Sequence, residues 1–179
     1  PSSAASDVYK RQVFSTGISN PDYFKAQYIT GGTLFRKDFL LDEIPQKAVL
    51  YFTGLGYVQS YINGEKITDR ELFPSYTVYE KTVEYTAADV TTQLKNGENV
   101  LGLWVGGHWP LDEKLRAKDV YSEAFYRGRC VGFAELHLTF KDGRSEILGT
   151  DDTWQTSMSP IEISSVFDGE HYCLLYTSD

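Results

Sequence analysis

Two short segments place groups that could hold a ligand close together in the chain. Gly106-Gly107-His108-Trp109-Pro110 sets His108 and Trp109 side by side, and Asp168-Gly169-Glu170-His171-Tyr172 sets Asp168 and Glu170 two residues apart. An indole face suits the C–H surface of a sugar ring, and fixed carboxylates suit its hydroxyls. If the segments converge, His108, Trp109, Asp168 and Glu170 form a saccharide site. The alternatives are packing for Trp109 under a long connection, and loop bracing or domain docking for Asp168 and Glu170.

Other chemistry finds no pattern. His108, His137 and His171 lack metal-ligand spacing, and a structural role is expected for His137. No serine stands in a G-x-S-x-G elbow. Cys130 has no motif around it and reads as a small apolar filler. Gly54-Leu55-Gly56 fits a bend between strands better than a phosphate loop. Cleavage of glycosidic bonds needs a carboxyl pair, and 25 Asp and Glu residues leave such a pair open on composition alone.

The elements that must position these groups are strands. Three turn signals, Asn63-Gly64, Asn96-Gly97 and Asp142-Gly143, tolerate the positive φ of tight hairpins and lie between β-rich runs. Residues 133–140 alternate, with Phe133, Glu135, His137 and Thr139 on one side and Ala134, Leu136, Leu138 and Phe140 on the other. That predicts a strand with one buried face. Leu101, Leu103 and Val105 share a face in the same way. The one helical signal, 112–122, lies in a long connection spanning 108–132, a length that often carries function, with a solvated insertion as the alternative. The fold class is therefore all-β, an antiparallel jelly-roll or galactose-binding-like β-sandwich.

The length of 179 residues suits one domain, and 41% hydrophobic content suits a globular core. A net charge of −8 argues against nucleic acid and anionic membrane as partners, since both need a basic footprint. No apolar run approaches the ~20 residues of a membrane-spanning helix. Residues 2–12, SSAASDVYKRQ, and 173–179, CLLYTSD, can be back-translated to sequences that resemble the two orientations of a transposase adapter used in sequencing libraries. We therefore expect three parts: 1–12 as adapter, 13–172 as the natural domain truncated at both ends, and 173–179 as adapter. Cys130 is then the single natural cysteine, and the redox compartment and localisation stay open.

The ordered motifs resemble the N-terminal accessory domain of bacterial α-L-rhamnosidases of glycoside hydrolase family 78. They are Leu34-Phe35-Arg36-Lys37-Asp38-Phe39, Ala48-Val49-Leu50-Tyr51, Gly54-Leu55-Gly56-Tyr57 and Tyr61-Ile62-Asn63-Gly64-Glu65-Lys66. Leu72-Phe73-Pro74, Thr77-Val78-Tyr79-Glu80-Lys81, Asp89-Val90-Thr91, Gly97-Glu98-Asn99, Thr150-Asp151-Asp152-Thr153-Trp154 and 168–172 follow. The family's G-x-G-W-Y loop is replaced by Gly106–Pro110. The resemblance implies a non-catalytic accessory domain packed on the catalytic domain of the same polypeptide. It also implies a rhamnose-containing glycan as ligand. The catalytic carboxylates would lie in a separate helical barrel, and none is expected here. An independent carbohydrate-binding module, the sugar-binding jelly roll of a β-galactosidase-like hydrolase, a structural spacer and a free-standing enzyme are the alternatives. No cofactor is expected. Calcium-assisted rhamnose binding in related domains makes Asp151-Asp152 the one acidic pair to consider, without a calcium-loop motif around it.

Overall fold

The computed structural model describes residues 18, 20–75, 77–79, 81–106, 129–165 and 169–173. His108, Trp109, Asp168, the 112–122 helix signal and both expected adapter segments, apart from Cys173, lie outside the described residues. Strands β1 (Leu34–Leu41), β2 (Lys47–Leu55), β3 (Tyr57–Ile62), β4 (Glu65–Lys66), β5 (Thr86–Asp89) and β6 (Gly97–Gly106) come first in the chain. They are followed by β7 (Val131–Thr139), β8 (Ser145–Gly149), β9 (Gln155–Ser157), β10 (Ile161–Ser165) and β11 (Gly169–Tyr172). One sheet has the order β4-β3-β6-β1-β9, the other β5-β2-β7-β8, and β10-β11 forms a small ribbon. All pairings are antiparallel. The β-sandwich expectation is correct.

Strand periodicity builds the core. Leu101, Leu103 and Val105 of β6 face inward, with Phe35 of β1 and Val58 and Ile62 of β3. From the other sheet Ala48, Leu50 and Phe52 of β2 meet Ala134, Leu136 and Leu138 of β7. The chain crosses between the two sheets at Gly56, whose φ is +138°. A Cβ there would come within 2.6 Å of the Gly106 carbonyl oxygen, so the bend read from Gly54-Leu55-Gly56 requires glycine at its last position.

The turns divide. Asn63 (φ 52°) and Gly64 (φ 85°) close a two-residue hairpin between β3 and β4. Asp142-Gly143 closes a three-residue loop, since Phe140 and Arg144 still pair through their backbones. Asn96-Gly97 joins no hairpin. A single 3-10 turn, Thr91–Gln93, precedes it, and β6 pairs with β1 and β3 instead. Here the turn is organised by buried Asn99. Its amide donates to the Lys95 and Gly97 carbonyls, while its oxygen accepts from Lys95 N and Asn63 Nδ2.

The single buried face expected for 133–140 is a second correction. Ala134, Leu136 and Leu138 do line the core, but Phe133 and Glu135 on the opposite side are also buried. Residues 20–30 run as a strap across the outer face of the four-stranded sheet and cover them. Alternation shows which residues share a face and carries no information about what a distant segment lays over it.

Candidate functional site

The strap is held by a buried carboxyl. Glu135, fully buried, accepts hydrogen bonds from the backbone N–H groups of Lys25 and Ala26, both at 2.6 Å to Oε2. His137, two residues along the same strand, has Nε2 2.6 Å from the other carboxyl oxygen. A carboxylate only accepts, so Nε2 carries a proton, and in the neutral ring Nδ1 then accepts from the Tyr23 hydroxyl at 3.4 Å. The Tyr23 and His137 rings are stacked, 5.3 Å between centroids. His137 is thus structural, as expected. Further along, Gln27 N donates to Thr150 O, and Ile29 and Gly132 exchange backbone bonds. Phe24 inserts edge-on among Tyr51, Tyr85 and Phe133. Burial, then the contact with Tyr23, pushes the Tyr51 phenol up to about 12.

Beside this strap an open groove of about 600 Å³ is formed by the segments 70–75 and 83–85. Leu72 sits there with φ +50°, a left-handed backbone that leucine rarely adopts, and with 72% of its surface exposed. Phe73 next to it points inward, 8% exposed, and its carbonyl accepts from Val58 N. The Arg70 guanidinium lies 5.3 Å from the Phe73 ring centroid and makes no ion pair among the described residues. Glu84 accepts from Ser75 N, and Tyr85 offers its ring. Glu71 is held by Lys66 Nζ and Gln59 Nε2. The Lys66 bond holds its carboxyl below the usual carboxylate range. A glycosidase acid needs the opposite shift. The groove offers apolar surface from Leu72 and Val83, with Arg70, Ser75 and Glu84 around it. That mixture suits a hydroxylated ligand with apolar faces.

Of the four residues expected to form a saccharide site, the described chain contains Glu170, which stands exposed on β11 opposite Ser164. His108, Trp109 and Asp168 lie outside the described residues, so their convergence with Glu170 is not part of the site described here. The sequence reading missed Arg70, Glu71, Ser75 and Glu84. The usable signal was Leu72-Phe73-Pro74, an apolar triplet bordered by charge and outside any alternating run.

Asp151 is engaged by its own turn. Asp151 Oδ1 accepts from both the backbone N–H and the hydroxyl of Thr153, a local turn that lowers its pKa. Among the described residues no group of three or more His, Cys, Asp or Glu side chains could hold a metal ion. Cys130 sits half-buried with its thiol toward the Gly106 carbonyl, and burial pushes that thiol up to about 11.

These elements define a two-sheet antiparallel sandwich with a surface groove, in which the buried Glu135 carboxyl is committed to holding backbone. The α-L-rhamnosidase N-terminal domain family model matches residues 43–174. The chain belongs to that family. It is 31% identical over 175 residues to an α-L-rhamnosidase of Formosa agariphila, covering 92% of this chain and 17% of the relative. Among solved structures, the α-L-rhamnosidase from Dictyoglumus thermophilum superposes with a TM-score of 0.75 at 28% identity, over 88% of this chain and 19% of its own. The Streptomyces avermitilis α-L-rhamnosidase complexed with L-rhamnose gives a TM-score of 0.66 at 27% identity, over 80% and 14%. The chain therefore spans less than one-fifth of the length of each of these relatives.

Proposed function

We propose that this domain serves an α-L-rhamnosidase as a non-catalytic accessory module, packing on the catalytic part and holding a rhamnose-containing glycan in the groove between 70–75 and 83–85. The observation that carries the reading is the family match together with the small share of each relative that it occupies. In those relatives the bulk of the polypeptide lies elsewhere, which leaves ample chain outside this domain for a catalytic carboxyl pair. The groove chemistry supports it. Rhamnose is a 6-deoxy sugar, so it presents a methyl group together with hydroxyls. Leu72 and Val83 offer a surface for the methyl, and Arg70, Ser75 and Glu84 offer hydrogen bonds for the hydroxyls.

Calorimetric titration with L-rhamnose, with and without calcium, tests the reading. Saturable binding in the millimolar range, weakened at least severalfold by Arg70→Ala, is expected. No heat at millimolar sugar in either buffer contradicts it, and calcium dependence would add a metal ion to the binding site.

A further inference from the structure

The β10–β11 ribbon stands apart from the sandwich. Its two strands pair with each other and with no strand of either sheet. Its base is fixed. Ser159, buried, donates its N–H to Thr33 Oγ1 at 2.6 Å, and Cys173 N donates to the Pro160 carbonyl at 2.8 Å. Above that base Glu170, His171 and Tyr172 are all exposed, Tyr172 with 48% of its surface in solvent. Successive residues of a strand point to opposite sides. His171 uses its side for Glu162, with Nδ1 3.1 Å from a carboxyl oxygen. Glu170 and Tyr172 share the other side, and neither side chain has a hydrogen bond or ion pair there. A two-stranded ribbon with nothing packed on it is marginal in water, so this one calls for a covering surface.

We propose that the Glu170–Tyr172 side of the ribbon is the surface by which this domain docks on the remainder of its own polypeptide, against an apolar patch that takes the Tyr172 ring and a basic side chain that pairs with Glu170. The inference rests on the reading of the chain as the accessory module of a longer enzyme, and it names the face that such a module would use. Sequence order chooses the occupant first. The matching family is an N-terminal domain, and the match runs to residue 174, past the end of β11. The chain covers less than one-fifth of each relative, so in an N-terminal arrangement the long remainder follows the ribbon directly. Geometry agrees. The Cys173–Pro160 bond returns the chain to the ribbon base, so a following segment leaves within reach of both strands. Chemistry sets the rest. An unpaired carboxylate two residues from an exposed phenol ring suits a cation beside apolar surface. The opposite side offers less, because Glu162 and His171 already face each other. A second copy of this chain is a poorer occupant, since at a net charge of −8 it meets the ribbon with like charge.

Hydrogen exchange read by mass spectrometry, on the 179-residue chain and on the full-length polypeptide that contains the domain, tests this. In the chain alone the amides of 169–172 are expected to exchange at nearly the unprotected rate. In the full-length polypeptide they should slow at least about a hundredfold. Glu170→Lys together with Tyr172→Ala should restore fast exchange there, while the same two substitutions leave the melting temperature of the 179-residue chain unchanged and so report an intact sandwich. Ribbon amides as fast in the full-length polypeptide as in the chain overturn the docking surface, and so does slow exchange that survives both substitutions. A full-length polypeptide that leaves phenyl α-L-rhamnoside uncleaved removes the accessory reading, and this inference with it. An active polypeptide with fast ribbon amides removes the docking surface alone.

Discussion

Replacing Glu135 tests whether a single buried carboxyl holds the strap. Three donors converge on it: two backbone N–H groups and the His137 Nε2–H, each at 2.6 Å. Hydrogen bonds to a charged acceptor contribute about 1.5–3 kcal/mol each, neutral ones about 0.5–1.5. In Glu135→Gln the amide oxygen can keep both backbone bonds but loses their charge assistance, and its NH2 can meet His137 only if the ring changes tautomer. The expected loss is about 2–3 kcal/mol. In Glu135→Leu all three donors are stranded in a buried site, and the loss rises to about 3–5 kcal/mol. For a chain of this size the melting temperature falls roughly 2–4 °C per kcal/mol. Urea unfolding gives the free energies. Hydrogen exchange shows where they act: the Lys25 and Ala26 amides should lose protection in Glu135→Gln before the β2 and β7 amides do. A Glu135→Gln chain within about 0.5 kcal/mol of the parent, with both strap amides still protected, would refute the reasoning.

Three further outcomes follow from individual contacts. Gly56→Ala, which drives a Cβ to 2.6 Å from the Gly106 carbonyl oxygen at φ +138°, should destabilise by about 2–3 kcal/mol in urea unfolding. Asn99→Ala strands the Lys95 and Gly97 groups that Asn99 serves and should cost about 2–4 kcal/mol by the same assay. In a Cys173→Ser background Cys130 should react with thiol reagents far more slowly in the folded chain than in urea. Its thiol is pushed up to about 11, so the folded state holds the proton more tightly than the unfolded state does. The sign follows: this group's contribution to stability is fully present below about pH 9 and is lost as pH rises toward about 11, which denaturation at stepped alkaline pH would read.

Much of the sandwich was legible because strand faces repeat every two residues. Leu101, Leu103 and Val105 were assigned together and pack together. Turn identity was less legible. Asn96-Gly97 carries the same dipeptide as Asn63-Gly64, yet the hydrogen bonds of Asn99, three residues on, decide its conformation. The covered outer face of β7 was not legible at all, because Glu135 meets Lys25 across 110 positions of chain. The groove escaped for a related reason. Its polar groups come from two irregular segments, 70–75 and 83–85, and no periodicity marks either one. Glu170 alone of the four expected ligand groups falls within the described chain, and there it faces solvent on a small ribbon.

The proposed function requires that this domain hold a rhamnoside without cleaving it. Saturation-transfer NMR on the chain with phenyl α-L-rhamnoside tests both halves in one sample. Transfer from protein to the sugar protons is expected, with the glycoside intact after prolonged incubation. Release of rhamnose and phenol would contradict the non-catalytic assignment, and absence of transfer to the sugar would contradict binding.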